Sequence, residues 1–94
     1  MPLAHETRVK RARARAWRRG FREADLILGP FADTHVQGMD GEQLGQFEAL
    51  LEQNDHDVYA WVLGTTPAPA EFDNEVLAAL RARAWSGPAG SNGD

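Results

Sequence analysis

Arg18-Arg19-Gly20-Phe21-Arg22-Glu23 decides how the chain is divided. The stretch straddles an abrupt change of charge. From Arg8 to Arg22 every ionisable residue is basic: Arg8, Lys10, Arg11, Arg13, Arg15, Arg18, Arg19 and Arg22. From Glu23 to Glu75 every Asp, Glu, Lys or Arg is acidic. Glycine adopts left-handed backbone conformations without a Cβ clash, which is how many helices end. Gly20 therefore breaks what would otherwise be one long helix. The stretch predicts a helix, a corner and a second helix, with a basic arm leading into an acidic body.

Toward the N-terminus, Thr7 to Arg19 is rich in Ala and Arg and free of Gly and Pro, a composition that favours helix. At about 100° per residue, Arg8, Arg11, Arg15 and Arg18 fall on one side, and Val9, Ala12 and Ala16 on another. Trp17 lies at the margin of that thin apolar face, so the helix depends on packing through it. Residues 1–6 carry no signal and are expected to fray.

Toward the C-terminus, Phe21, Ala24, Leu28 and Phe31 recur at helical spacing, with Leu26 and Ile27 widening the face. This predicts a second helix to about Thr34, with a kink or short break at Gly29-Pro30. His35 to Met39 reads as a loop. Asp40 with Gln43 three residues on suggests a capping box, opening a third helix to about Gln53. Leu44, Phe47, Leu50 and Leu51 give that helix its apolar stripe. Asn54 or Asp55 caps a fourth helix, apolar on much of its surface and expected to be central, which Gly64 stops. After a connector holding Pro67 and Pro69, a fifth helix could begin at Pro69 and pack through Phe72, Val76, Leu77 and Leu80. The Gly/Ser-rich segment 86–94 is expected to be disordered. The fold class is all-α: one compact bundle of about five short helices over residues 7–85.

The totals narrow the function classes. A chain of 94 residues holds one small domain with a modest core. No apolar run approaches the roughly 20 residues of a membrane helix, so no membrane insertion is expected. No apolar core of a secretory signal follows the N-terminus. There is no cysteine, hence no thiolate metal site. His5, His35 and His56 lie on different elements without a metal-ligand spacing. Asp55-His56-Asp57 is explained by an N-cap. The only serines, Ser86 and Ser91, fall in the tail, and no glycine-rich phosphate loop follows a strand. Catalysis by this chain alone is not expected. The arginine stripe is an electrostatic footprint of the kind that contacts phosphates. The acidic body opposes that reading, and the arm could instead neutralise its own domain.

Arg19-Gly20-Phe21-Arg22-Glu23 resembles the RGxxE motif of the succinate dehydrogenase FAD-assembly factors, some of whose bacterial members have been called antitoxin-like. The likeness continues. Arg18 to Leu26 is similar to the start of that family's second helix, and Pro30-Phe31 to its Pro-Phe. Phe47, Leu50, Leu51, Glu52, Asp55, Asp57, Tyr59, Trp61 and Val62 resemble its Leu-Leu-Glu…Asp…Trp segment. Ala24 departs from the pattern, standing where leucine is common. The resemblance covers Arg18 to Leu80 and leaves the arm before Trp17 and the tail after Trp85 outside.

The resemblance implies a five-helix factor that binds the flavoprotein subunit of succinate dehydrogenase, with fumarate reductase as a further client. It would promote covalent attachment of FAD to that subunit while binding no cofactor stably itself. The expected contact residues are Arg18, Arg19, Gly20, Phe21, Arg22, Glu23 and Asp25. Trp61, Tyr59, Phe47, Leu50 and Leu51 are expected in the core. The free protein is expected to be monomeric, without nucleic acid, and cytoplasmic in a bacterium or in the mitochondrial matrix of a eukaryote. The alternatives are a general helical adaptor, or a nucleic-acid binder working through the basic helix.

Overall fold

A computed structural model describes residues 4–18 and 20–86, with the backbone alone at 85 and 86. Arg19, the first three residues and the tail from residue 87 lie outside the described residues, and most of the segment 86–94 expected to be disordered lies there with them; its first residue, Ser86, instead ends the last helix. Among the described residues five helices follow in order: α1 His5–Trp17, α2 Arg22–His35, α3 Gly41–Leu51, α4 Asp55–Leu63 and α5 Glu75–Ser86. Short 3-10 turns at Val36–Gly38 and Ala70–Phe72 precede α3 and α5. Among the described residues there is no strand, and no helix is long and apolar enough to cross a membrane.

The helix ends follow their local chemistry. Asp40 accepts from the Gln43 backbone N–H at 2.8 Å, and Gln43 Oε1 accepts from the Asp40 backbone N–H at 3.2 Å, completing the capping box. Asn54 Oδ1 accepts from the backbone N–H groups of His56 and Asp57 at the start of α4. Gly64, at φ 82°, closes that helix.

Several expectations shift. α1 begins at His5, inside the segment expected to fray. α2 runs unbroken through Gly29-Pro30. Its buried side, with Leu28, Phe31 and Ala32 on both flanks of the proline, outweighs one missing backbone donor. Pro69 opens only a 3-10 turn. α5 starts at Glu75, where Asn74 Oδ1 accepts from the backbone N–H groups of Val76 and Leu77 at 3.1 Å each.

The central position falls to α2 rather than α4. α2 packs on α1, α4 and α5 and on the 3-10 turn that follows it. Small Ala24 and Ala32 on its buried side let neighbours approach, while Leu28 and Phe31 fill the space between them. The core continues through Phe47, Leu50, Trp61, Leu77 and Leu80. α5 also holds the end of α4. Arg81 Nε donates to the Trp61 carbonyl at 2.9 Å, a last-turn acceptor without a helical donor, and its Nη1 lies 3.6 Å from Asp73.

Candidate functional site

The basic arm partly neutralises its own domain, through Arg8, Arg13 and Arg15. Arg8 grips Glu48 with two nitrogens, Nη2 to Oε1 at 2.7 Å and Nε to Oε2 at 3.2 Å. This hydrogen bond holds the Arg8 guanidinium above its ordinary pKa, opposed by desolvation and aided by the Glu48 charge. Arg15, two turns on, pairs at 3.0 Å with Glu52, which caps the C-terminal end of α3. Arg13 turns the other way and pairs with Asp33 of α2 at 3.3 Å. α1 is thus strapped to α2 and α3 by charge, over the apolar contact of Val9, Ala12 and Ala16. Arg8 and Arg15, half of the stripe read as a phosphate footprint, are engaged inside the fold.

Past Trp17 the pattern changes. Arg18 caps the end of α1, its backbone N–H bonded to the Arg15 carbonyl at 3.2 Å, with its side chain exposed. Gly20 sits at φ 84°, where any side chain is strained, and open space faces the position a Cβ would take. Its conformation is what turns the chain.

Phe21 is the N-cap of α2 by backbone position, without a side-chain cap. Its ring is half-buried, 4.6 Å from the His56 ring and 5.2 Å, edge-on, from Tyr59. Phe21 therefore seats the corner on α4. Arg22 and Glu23 open α2 and are exposed, and neither side chain forms an ion pair or hydrogen bond among the described residues. Asp25 is half-buried and has an interaction of its own, so it is less available than Glu23. Arg19, the first residue of the motif, is outside the described residues.

The sequence reading missed two features. Trp17 is 42% exposed, yet its ring lies against Gly29 so closely that a Cβ there would overlap the indole. Its Nε1 donates to Asp33 Oδ2 at 3.2 Å. No local pattern announces this notch, because the two residues meet only once α1 folds back on α2. Leu26 was expected to widen the apolar face, yet it is 58% exposed. Helical register could have found this one: Leu26 follows Arg22 by one turn and precedes Pro30 by one, away from Leu28 and Phe31. Phe47, Leu50, Leu51 and Trp61 are buried as expected, and Tyr59 is half-buried.

Residues 10–84 match the family described as the flavinator of succinate dehydrogenase. The chain belongs to that family. The match starts before Trp17, so it takes in much of the arm that the motif resemblance left aside. Succinate dehydrogenase assembly factor 2-A, mitochondrial, of Drosophila yakuba is 37% identical over 78 residues, 81% of this chain and 48% of that protein. The mitochondrial assembly factor 2 of Aedes aegypti is 39% identical over 66 residues, 68% and 41% of the two chains. Factor 2-B of Drosophila melanogaster is 33% identical over 78 residues, 81% and 50%. The chain spans about half the length of the curated relatives it matches.

Proposed function

We propose that this protein is an assembly factor that binds the flavoprotein subunit of succinate dehydrogenase, with fumarate reductase as a further client, and promotes covalent attachment of FAD. The client supplies the FAD and the histidine that becomes bonded to it. This chain supplies no catalytic group and binds no cofactor stably. It holds the client so that histidine and flavin methyl group stay in reacting geometry, a proximity effect. It works in the compartment where the client is assembled, the mitochondrial matrix or the bacterial cytoplasm.

The observation that carries this reading is the contrast in charge pairing. Three arginines of α1 are paired within the fold, while Arg18, Arg22 and Glu23 at the corner are exposed and without a partner among the described residues. Charged donors and acceptors left open around a forced turn suit recognition of an oppositely patterned partner. In this reading Arg18, Arg22 and Glu23 meet client groups of opposite charge, Gly20 allows close approach, and Phe21 holds the corner in place. Arg19 and Asp25 complete the contact. Flavin fluorescence of the denatured client tests it. Covalent flavin should fall when the gene is deleted and return with the unaltered protein. Unchanged covalent flavin in both Gly20→Arg and Glu23→Ala would remove the corner from the mechanism.

A further inference from the structure

We propose that the client contact does not end at the corner but continues along the outer side of α2, with Leu26 as its apolar anchor. This inference rests on the reading of the protein as a flavoprotein-binding factor. Three observations lead to it. Leu26 and Trp17 are the large hydrophobic side chains with the greatest exposure among the described residues, at 58% and 42%. Both stand on the same side of α2: Leu26 lies one turn from Arg22 and one from Pro30, and the Trp17 ring covers Gly29 between Leu26 and Asp33. Gly29 and Pro30 are costly residues for a helix interior, yet they occur together at this point. At Gly29 the missing side chain makes room for the indole, which Asp33 fixes through Nε1, one turn along α2 from the projecting Leu26.

The surface is continuous with the corner. Arg22 and Glu23, one turn before Leu26, are the open charges already assigned to the client. A side chain packed into a desolvated recess and ringed by contacts that exclude water is the arrangement that concentrates binding energy. The occupant is the flavoprotein client, presenting an apolar recess to Leu26, a carboxylate to Arg22 and a basic group to Glu23. The second apolar element, Trp17, is pre-ordered by its notch and its bond to Asp33, so little side-chain freedom is lost when the partner arrives.

The test is retention of the purified flavoprotein subunit on immobilised unaltered protein, Leu26→Gln, Leu26→Met and Glu23→Ala, with circular dichroism as the folding control. Loss of a buried leucine contact predicts about tenfold weaker binding for Leu26→Gln. Leu26→Met, which keeps an apolar side chain of similar size, should stay within about threefold. Wild-type retention by Leu26→Gln alongside loss in Glu23→Ala would overturn the extended surface and leave the corner reading intact. Failure of the unaltered protein to retain the client would overturn both. A large loss of helix in Leu26→Gln would show that Leu26 is part of the core and also overturn the inference.

Discussion

Three of the four arginines of α1 face the protein's own carboxylates, whereas Arg18 and Arg22 at the corner are exposed. Arg8, Arg13 and Arg15 each find an acidic partner on α2 or α3. Arg18 and Arg22, a few residues on, do not among the described residues. The two groups belong to one basic run, so composition cannot separate them. Position does. Arg8, Arg13 and Arg15 lie on a helix packed along its length on neighbours that carry Glu48, Glu52 and Asp33. At Gly20 the backbone turns and carries Arg22 and Glu23 away from those acids. One run of charge therefore has two physical uses: Arg8, Arg13 and Arg15 attach a thin helix to the body, and Arg18 and Arg22 are left open around the turn.

The largest effect should come from the open part. If Glu23 meets a basic client group in a desolvated contact, removing it costs about 2 kcal/mol or more of binding, roughly thirtyfold. Glu23→Ala should lower covalent flavin in the client accordingly and leave the melting temperature of the free protein almost unchanged, since Glu23 is exposed. Comparable losses of stability and flavin would place Glu23 among the structural residues of the arm and erase the distinction.

Much of this arrangement was legible in the residues themselves. Caps at Asp40 and Asn54, the stop at Gly64 and the corner at Gly20 are written in neighbouring side chains that satisfy helix ends. The stripe of α3 and the buried residues of α5 follow from spacing. What stayed hidden was tertiary. Gly29-Pro30 reads locally as a break, and only the packing of Leu28, Phe31 and Ala32 keeps α2 whole. The fit of Trp17 on Gly29 joins residues on different helices. The pairing of Arg13 with Asp33 rather than with α3 depends on which side of α1 each neighbour occupies. At the site, the motif named the corner, but which of its charges stay open required the fold.

Between the two regions stands the Trp17 notch, which sets a second effect. Gly29→Val would drive a branched side chain into the indole, displacing it and its bond to Asp33. Overpacking of this kind costs about 1–3 kcal/mol. Urea unfolding should show a lower midpoint. Trp17→Ala should largely relieve the clash in the double variant, so that the two effects are strongly non-additive. Simple additivity would mean that Gly29 matters through helix conformation rather than through the indole.

A third effect belongs to the pair with the best geometry. Arg8 and Glu48 make two hydrogen bonds and are each about two-thirds covered, with side-chain exposures of 28% and 31%. Arg8→Gln, Glu48→Gln and the double variant form a cycle whose coupling should be favourable and larger than that of any other arginine pair on α1, because two charge-assisted hydrogen bonds fix its geometry. A coupling near zero would mean that α1 is held by Val9, Ala12 and Ala16 alone.

The smallest effect is expected at Arg15, and it separates attachment from recognition most cleanly. Its partner Glu52 is 65% exposed, and Arg15 itself 44%. Water and salt screen such a pair, so Arg15→Gln should cost only about 0.2–0.5 kcal/mol, and that difference should shrink as ionic strength rises. Arg15 also reaches the Leu51 carbonyl at 3.5 Å, at the limit of a hydrogen bond, which adds little. Arg15 lines the same shallow groove as Arg18, beside Leu51, Gln53 and Asp55. If the paired arginines serve only attachment, Arg15→Gln leaves client retention at the wild-type level in low salt, while Arg18→Gln weakens it. Equal loss of client in both variants would extend the recognition surface back into α1 and make the boundary at Trp17 one of structure alone.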